Sequence, residues 1–350
     1  MSSSIRPATI LEVARIAGVS KTSVSRYYSG ERERLSAAMQ QRIFAAAKQL
    51  GYQPNPLARG LKGGPSGLIG MLVADIRNPF SVAIMHGVEQ ACRQAGLSLL
   101  VCNSDNDPQQ EQQQLALMSS WRIEGLIVNA AGRHSDALRQ FATNGPPLVL
   151  LDRRLADLQV DEVGLDNVAA IDMAIDHLLD RGYSRLLYVT EPPAQASSRK
   201  ARLERFEARC RDQKLSNDVL STELDDQGRL DTALEVISSA DTPSRPAILC
   251  ANGQVTLAVF RRMRALGLHA GDIGLIGIDE LDWCELTDPG ITTLAQPTDA
   301  IGKAAIACLR SRQARRNTEP RYQSFIPHLI ARGSTQPTDI FDSHHHETLP

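Results

Sequence analysis

The chain has 350 residues, 42% hydrophobic and 22% charged, with a formal net charge of −2 at pH 7. This is an ordinary soluble composition with room for two or three cores, and the absence of a signal peptide or a membrane-length apolar run excludes secreted and membrane-spanning classes, so the expected location is cytoplasmic. The small net charge hides an asymmetry: residues 1–65 carry ten Lys/Arg against three Asp/Glu, or +7, leaving −9 for the remainder, which favours a polyanion partner at the head only. The six cysteines are scattered with no CxxC and no His pair at zinc spacing, so reduced thiols are expected and no metal site.

Taken in chain order, residues 9–30 read as two short helices joined by a tight turn. Thr9 with Glu12 three residues on forms a capping-box pattern, and Ile10, Val13, Ala14 and Ala17 share one face. Gly18 suits a positive φ at the turn, and Ser20 suits the cap of the second helix. That helix would present Lys21, Thr22 and Arg26 near its exposed end while Val24 faces the first helix. Lysine and arginine can donate to guanine O6 and N7, and Ser20, Ser23 and Ser25 can reach phosphates. The same pattern also describes any small helical hairpin with a solvated polar face.

A third helix is expected from Ser36 to about Leu50, with Ala38, Ile43, Ala46, Ala47 and Leu50 inward and Gly51 ending it. Asn55 as a cap and Pro56 at the first helical position then start a helix too short to be stable without a partner.

The order AxxAGVSxxSVSR, then LGYxPNxxARxL, then an α/β body resembles the LacI/GalR family of bacterial transcription repressors along the chain to about residue 335. The resemblance implies an all-α helix-turn-helix DNA-binding head over residues 1–54 and a hinge helix over 55–66. It also implies a periplasmic-binding-protein-like body of two parallel-sheet subdomains over 67–335. The first subdomain would take about 67–164 plus 297–323 and the second about 165–296 plus 324–335, with a disordered tail at 336–350. It assigns base reading to Lys21, Thr22 and Arg26, and minor-groove insertion to Leu61, with Ala58 beside it and Asn55 at the hinge start. An apolar wedge between base steps kinks DNA.

From Gly67 onward, apolar runs at 68–74, 97–102, 125–129, 148–151, 186–190, 247–251 and 275–278, with a further strand at 292–295, alternate with helical stretches, as in parallel sheets covered on both faces. Such units bind ligands at the carboxyl ends of strands. Neither a GxGxxG after the first strand nor a phosphate loop nor a GxSxG elbow occurs, so the body reads as a binder and not an enzyme, with no catalytic residues and no cofactor.

The resemblance maps effector positions onto Phe80, Arg202, Asn252, Asp279 and Gln296, with Asp152 and Leu165 completing the expected lining and Trp283 at the cleft mouth. Arg77, Arg199 and Arg202 together would offer planar donors to a carboxylate. Asp75, Asp166 and Asn167 can instead be helix caps. The strings VCNSDNDPQQEQ, GLIVNAAG and SSRKAR look most like the repressors of ketogluconate and related sugar-acid utilisation. The expected protein is therefore a homodimeric repressor on a pseudo-palindromic operator, released by a sugar acid such as 2-ketogluconate. The alternatives are a neutral sugar, a corepressor, or a soluble sugar-binding protein without a transcriptional role.

Overall fold

The computed structural model describes residues 8–28, 31–52, 66–130, 135–155, 158–239, 245–315 and 319–336. The chain divides into two compact units at the Ser66–Gly67 junction.

The head consists of α1 (Ile10–Ala17), α2 (Lys21–Tyr28) and α3 (Ala37–Leu50). The local signals act as the sequence suggests. Thr9 Oγ1 accepts from the Glu12 amide while the Glu12 carboxylate accepts from the Thr9 amide, closing the capping box. Gly18 ends α1 at φ 60°, a left-handed conformation that costs glycine little. Ser20 Oγ accepts from the Ser23 amide at 3.0 Å, which caps α2. Val13, Ala14, Ala17, Val24, Tyr27, Leu35, Ile43, Ala46 and Ala47 form the core. Ala38, expected inward, is exposed, and Met39 packs against that core instead. Arg32 ties back onto α2: its Nε donates to the Tyr27 carbonyl, and its guanidinium lies 4.3 Å from the Tyr27 ring centre.

The body is built on two six-stranded sheets. The first contains β1 (Leu68–Val73), β2 (Ser98–Asn103), β3 (Gly125–Val128), β4 (Leu148–Leu151), β5 (Asp161–Leu165) and β11 (Tyr322–Phe325), in the order β11-β5-β4-β3-β1-β2. All of its pairings are parallel. Helices α4 (Pro79–Gln94), α5 (Pro108–Ser120), α6 (Asp136–Asn144) and α11 (Thr298–Ala314) accompany it. The second sheet contains β6 (Tyr183–Thr190), β7 (Ser216–Ser221), β8 (Arg245–Cys250), β9 (Gly274–Ile278), β10 (Thr292–Ala295) and β12 (His328–Ile330), ordered β12-β10-β9-β8-β6-β7. Only the β10–β12 pairing is antiparallel. Its helices are α7 (Asn167–Asp180), α8 (Ser197–Gln213), α9 (Gln227–Ser238) and α10 (Gly253–Ala265).

The chain passes between the sheets three times: after β5, after β10 and after β11. The first and third crossings fall later than the expected 164/165 and 323/324 boundaries, because Phe325 still pairs with Leu165 in the first sheet. Strands β5, β7, β11 and β12 have no counterpart among the expected apolar runs. β7 and β11 are sheet edges with mostly exposed side chains, so their sequences SNDVLS and YQSF carry little apolar signal.

Two ion pairs brace the return segments. Arg312 makes a two-pronged contact with Asp161, whose Oδ1 also accepts from the Arg321 amide. Burial pushes the Asp161 carboxyl up, but Arg312 and the Arg321 amide outweigh it and hold the group below its usual value. Arg332 grips Glu280 in the same forked way. Cys92, Cys210, Cys250 and Cys284 are buried and Cys102 and Cys308 half-buried, all of them free thiols.

Candidate functional site: an interlobe cleft and a basic helix

One cleft collects residues from the carboxyl ends of seven strands across both sheets. Ala74 and Asp75 follow β1, Asn129 follows β3, and Asp152 and Arg153 follow β4. Glu191 follows β6, Asn252 β8, Asp279 β9 and Gln296 β10. This is where parallel sheets place ligands, because loops diverge at the point where strand order reverses.

Arg202, on the second turn of α8, is the most constrained charge. Its Nε donates to Asn167 Oδ1 at 2.7 Å, one terminal nitrogen donates to the Ala251 carbonyl at 2.6 Å, and the other lies 3.9 Å from Asp152 Oδ1. Asp279 sits at φ 84°, an unusual conformation for a residue with a Cβ. It accepts from the Gly253 amide at 3.0 Å and from the Gln296 side-chain amide at 2.6 Å. Burial raises its pKa, opposed by Arg202, the Gly253 amide and Gln296. Asn252 caps α10 through the Val255 amide and donates to Glu191 Oε2 at 2.7 Å. Glu191 Oε1 is 2.5 Å from Arg199. Two buried acceptors facing this polar set, Asp152 Oδ1 and Gln296 Oε1, have no hydrogen-bond donor among the described residues. Such groups are costly when left unmet.

Of the residues singled out from sequence, Phe80, Asp152, Arg199, Arg202, Asn252, Asp279 and Gln296 line this cleft. Three expectations are corrected. Arg77 is 77% exposed and turned onto Asp75 at 3.0 Å, because their adjacency in a turn lets the pair form locally. Leu165 is packed in the core with Ala170 and Leu294, as its inward position on β5 requires. Trp283 stacks on Phe260 with ring centres 6.0 Å apart, is half-buried and packs against the core of the second sheet, away from the residues that line the cleft. Arg153, Glu191, Ser198 and Asn129 line the cleft without having been given a role from sequence. Glu191 and Asn129 each follow a strand end by one position, the signal that could have found them, and Arg153 stands at the end of β4 beside Asp152, a polar strand end already plain in the sequence. Asp166 caps α7 through the Ala169 amide and lies outside this cleft.

On the head, Lys21, Thr22 and Arg26 are exposed on α2, and Ser23 and Ser25 are half-buried. Ser20 Oγ is engaged in the cap and lies 3.0 Å from Ser23 Oγ. Arg26 Nε stands 3.9 Å from Glu31, which also pairs with Arg34 at 3.0 Å. Asn55, Ala58 and Leu61 fall outside the described residues. Among the described residues no helix is long and apolar enough to cross a membrane.

Residues 9–55 match the family model described as bacterial regulatory proteins, lacI family, and residues 66–311 match that of the periplasmic binding proteins and sugar binding domain of the LacI family. The chain is 48% identical to the HTH-type transcriptional regulator PtxS of Pseudomonas aeruginosa, over 96% of this chain and 99% of that one. It is 39% identical to the HTH-type transcriptional regulator KdgR of Bacillus subtilis, over 85% and 89% respectively. The crystal structure of the lac repressor dimer bound to operator and the anti-inducer ONPF superposes with a TM-score of 0.81 at 21% identity, covering 95% of this chain and all of that one, a likeness of fold. The helix-turn-helix head, the two-sheet body with its polar cleft and these matches over nearly the whole chain together establish that it belongs to the LacI family of bacterial regulatory proteins.

Proposed function

We propose that this regulator is a cytoplasmic homodimeric repressor of sugar-acid catabolism whose cleft takes a polyhydroxylated carboxylate such as 2-ketogluconate. The observation that carries this reading is the pairing of opposite needs in one cleft. Three arginines line it, Arg153, Arg199 and Arg202, and Arg153 keeps guanidinium donors that no carboxylate of the described residues takes, while Asp152 Oδ1 and Gln296 Oε1 are buried acceptors lacking a donor. A sugar acid brings an anion for the first set and hydroxyl donors for the second. A neutral sugar would serve only the second, and is the runner-up.

Lys21, Thr22 and Arg26 would read base edges in the major groove, with Ser20, Ser23 and Ser25 near phosphates. A dimer presents two such helices to a pseudo-palindromic site, since protein symmetry is mirrored in the DNA. The effector bridges both lobes, so it biases their relative orientation, and the coupling to DNA is reciprocal. A coupling of about 1–3 kcal/mol corresponds to roughly 5- to 150-fold release.

The test is fluorescence anisotropy of the purified protein on its own upstream promoter DNA at fixed salt, titrated with gluconate, 2-ketogluconate and neutral sugars. Release by a sugar acid supports the reading, and release by a neutral sugar alone removes it. Strengthened binding would make the same ligand a corepressor.

A further inference from the structure

The three arginines of the cleft are not equivalent. Arg199 is already neutralised: one terminal nitrogen is 2.5 Å from Glu191 Oε1 and the other donates to Gln195 Oε1 at 3.1 Å. Arg202 spends its fork on Asn167 and the Ala251 carbonyl and faces Asp152 with the rest. Arg153 differs. Only one of its terminal nitrogens is engaged, by the Ala130 carbonyl at 2.8 Å and Asn106 Oδ1 at 3.2 Å. Among the described residues it has no carboxylate within ion-pair distance, and its Nε and second terminal nitrogen have no acceptor. It is thus a positioned guanidinium with an uncommitted edge, held by neutral groups in a concave site.

Glu191 completes the distinction. Its carboxylate occupies Arg199 with one oxygen and the Asn252 amide with the other. That is the contact a ligand carboxylate would seek there, so a second anion at this end of the cleft would meet like charge.

We infer that Arg153 is the residue by which the cleft selects a carboxylate, and that Glu191 closes the Arg199–Asn252 end to anions and leaves it to hydroxyls. The ligand is thereby oriented, with its acid group against the end of β4 and its hydroxyls toward Asp152 Oδ1, Gln296 and the Glu191 end. This rests on the sugar-acid reading above and adds which side chain enforces it. Burial holds the Arg153 pKa down, with Asp152 opposing, yet a guanidinium stays charged at neutral pH.

The experiment is calorimetric titration of the full-length wild type, Arg153→Met, Arg199→Met and Glu191→Gln with gluconate, 2-ketogluconate and glucose, with circular-dichroism melts to confirm folding. Arg153→Met should weaken both acids by about 10- to 150-fold, the range for hydrogen bonds to a charged group, and by a larger factor than it weakens glucose. Arg153→Lys should recover part of the loss, because a point charge replaces the fork. Glu191→Gln should keep or raise acid affinity. Acid affinity that survives in folded Arg153→Met and collapses in Arg199→Met would overturn this assignment while leaving the sugar-acid reading intact. A wild type that binds glucose and neither acid removes both.

Discussion

Replacing Arg202 by methionine separates the cleft's architecture from its chemistry. Methionine fills most of the volume, so the loss is electrostatic. Arg202 is 4% exposed and donates hydrogen bonds of 2.7 and 2.6 Å to Asn167 and the Ala251 carbonyl. Each such charged bond contributes about 1.5–3 kcal/mol. Asn167 sits half-buried at the start of α7 and can regain water, whereas the Ala251 carbonyl belongs to a fully buried residue. Asp152 also loses its cation at 3.9 Å. The expected loss is about 3–5 kcal/mol, the range for breaking a buried charged contact. Against a typical domain stability of about 5–15 kcal/mol the body still folds. Urea unfolding followed by circular dichroism should show a midpoint lower by roughly 1 M or more, taking a slope near 3 kcal/mol/M. Arg202→Lys should be intermediate, since an ammonium cannot span both acceptors. A loss below about 1 kcal/mol for Arg202→Met would refute the reasoning, because water would then be replacing the guanidinium at the buried Ala251 carbonyl.

Further outcomes follow from other parts of the chain. Gly302→Ala places a Cβ 2.4 Å from the Gly87 carbonyl carbon where α4 and α11 cross. Alanine is ordinarily better than glycine in a helix by about 0.8–1.0 kcal/mol, so a lower urea midpoint, by about 1–3 kcal/mol, marks the clash, and a raised one would deny it. His177 is held below the usual histidine pKa by burial and then by Arg181, with Asp180 opposing, and its Nε2 lies 2.8 Å from Thr335 Oγ1. The unfolded chain therefore binds the extra proton first, so this contribution to stability is present above about pH 6.5 and is lost as pH falls below it. His177→Gln should flatten the fall in melting temperature between about pH 7.5 and 5.5; an unchanged slope would place the titration elsewhere. Arg26→Ala should cost about 1–3 kcal/mol on the operator and much less on scrambled DNA at the same salt; equal losses on both would make Arg26 a phosphate contact.

The head was legible in the sequence because its signals are local. A capping box, a glycine turn and a serine cap act within four residues of each other, so Thr9, Glu12, Gly18 and Ser20 stand in the structure in the roles their spacing suggests. Interior strands such as β1, β3, β8 and β9 were equally plain, since strands buried on both faces tend to be apolar runs, but interior β5 was not, because Asp161, Glu162 and Gly164 interrupt its sequence DEVGL. Edge strands β7 and β11 were not, because half-solvated strands need no such run.

By itself the sequence determined two units, the α/β alternation and the strand ends that carry polar side chains, all of which follow from periodicity and local hydrogen bonding. Only the tertiary structure decided which charges remain available in the cleft. Arg77 and Arg199 look alike in the sequence, yet one is turned onto Asp75 at the surface and the other is neutralised by Glu191 from the end of a different strand. Arg153, beside Asp152 in the chain, gains its standing from neutral partners 23 and 47 residues away. Charge pairing across strand ends is set by how parallel strands are ordered in a sheet, and that order is a property of the packed fold.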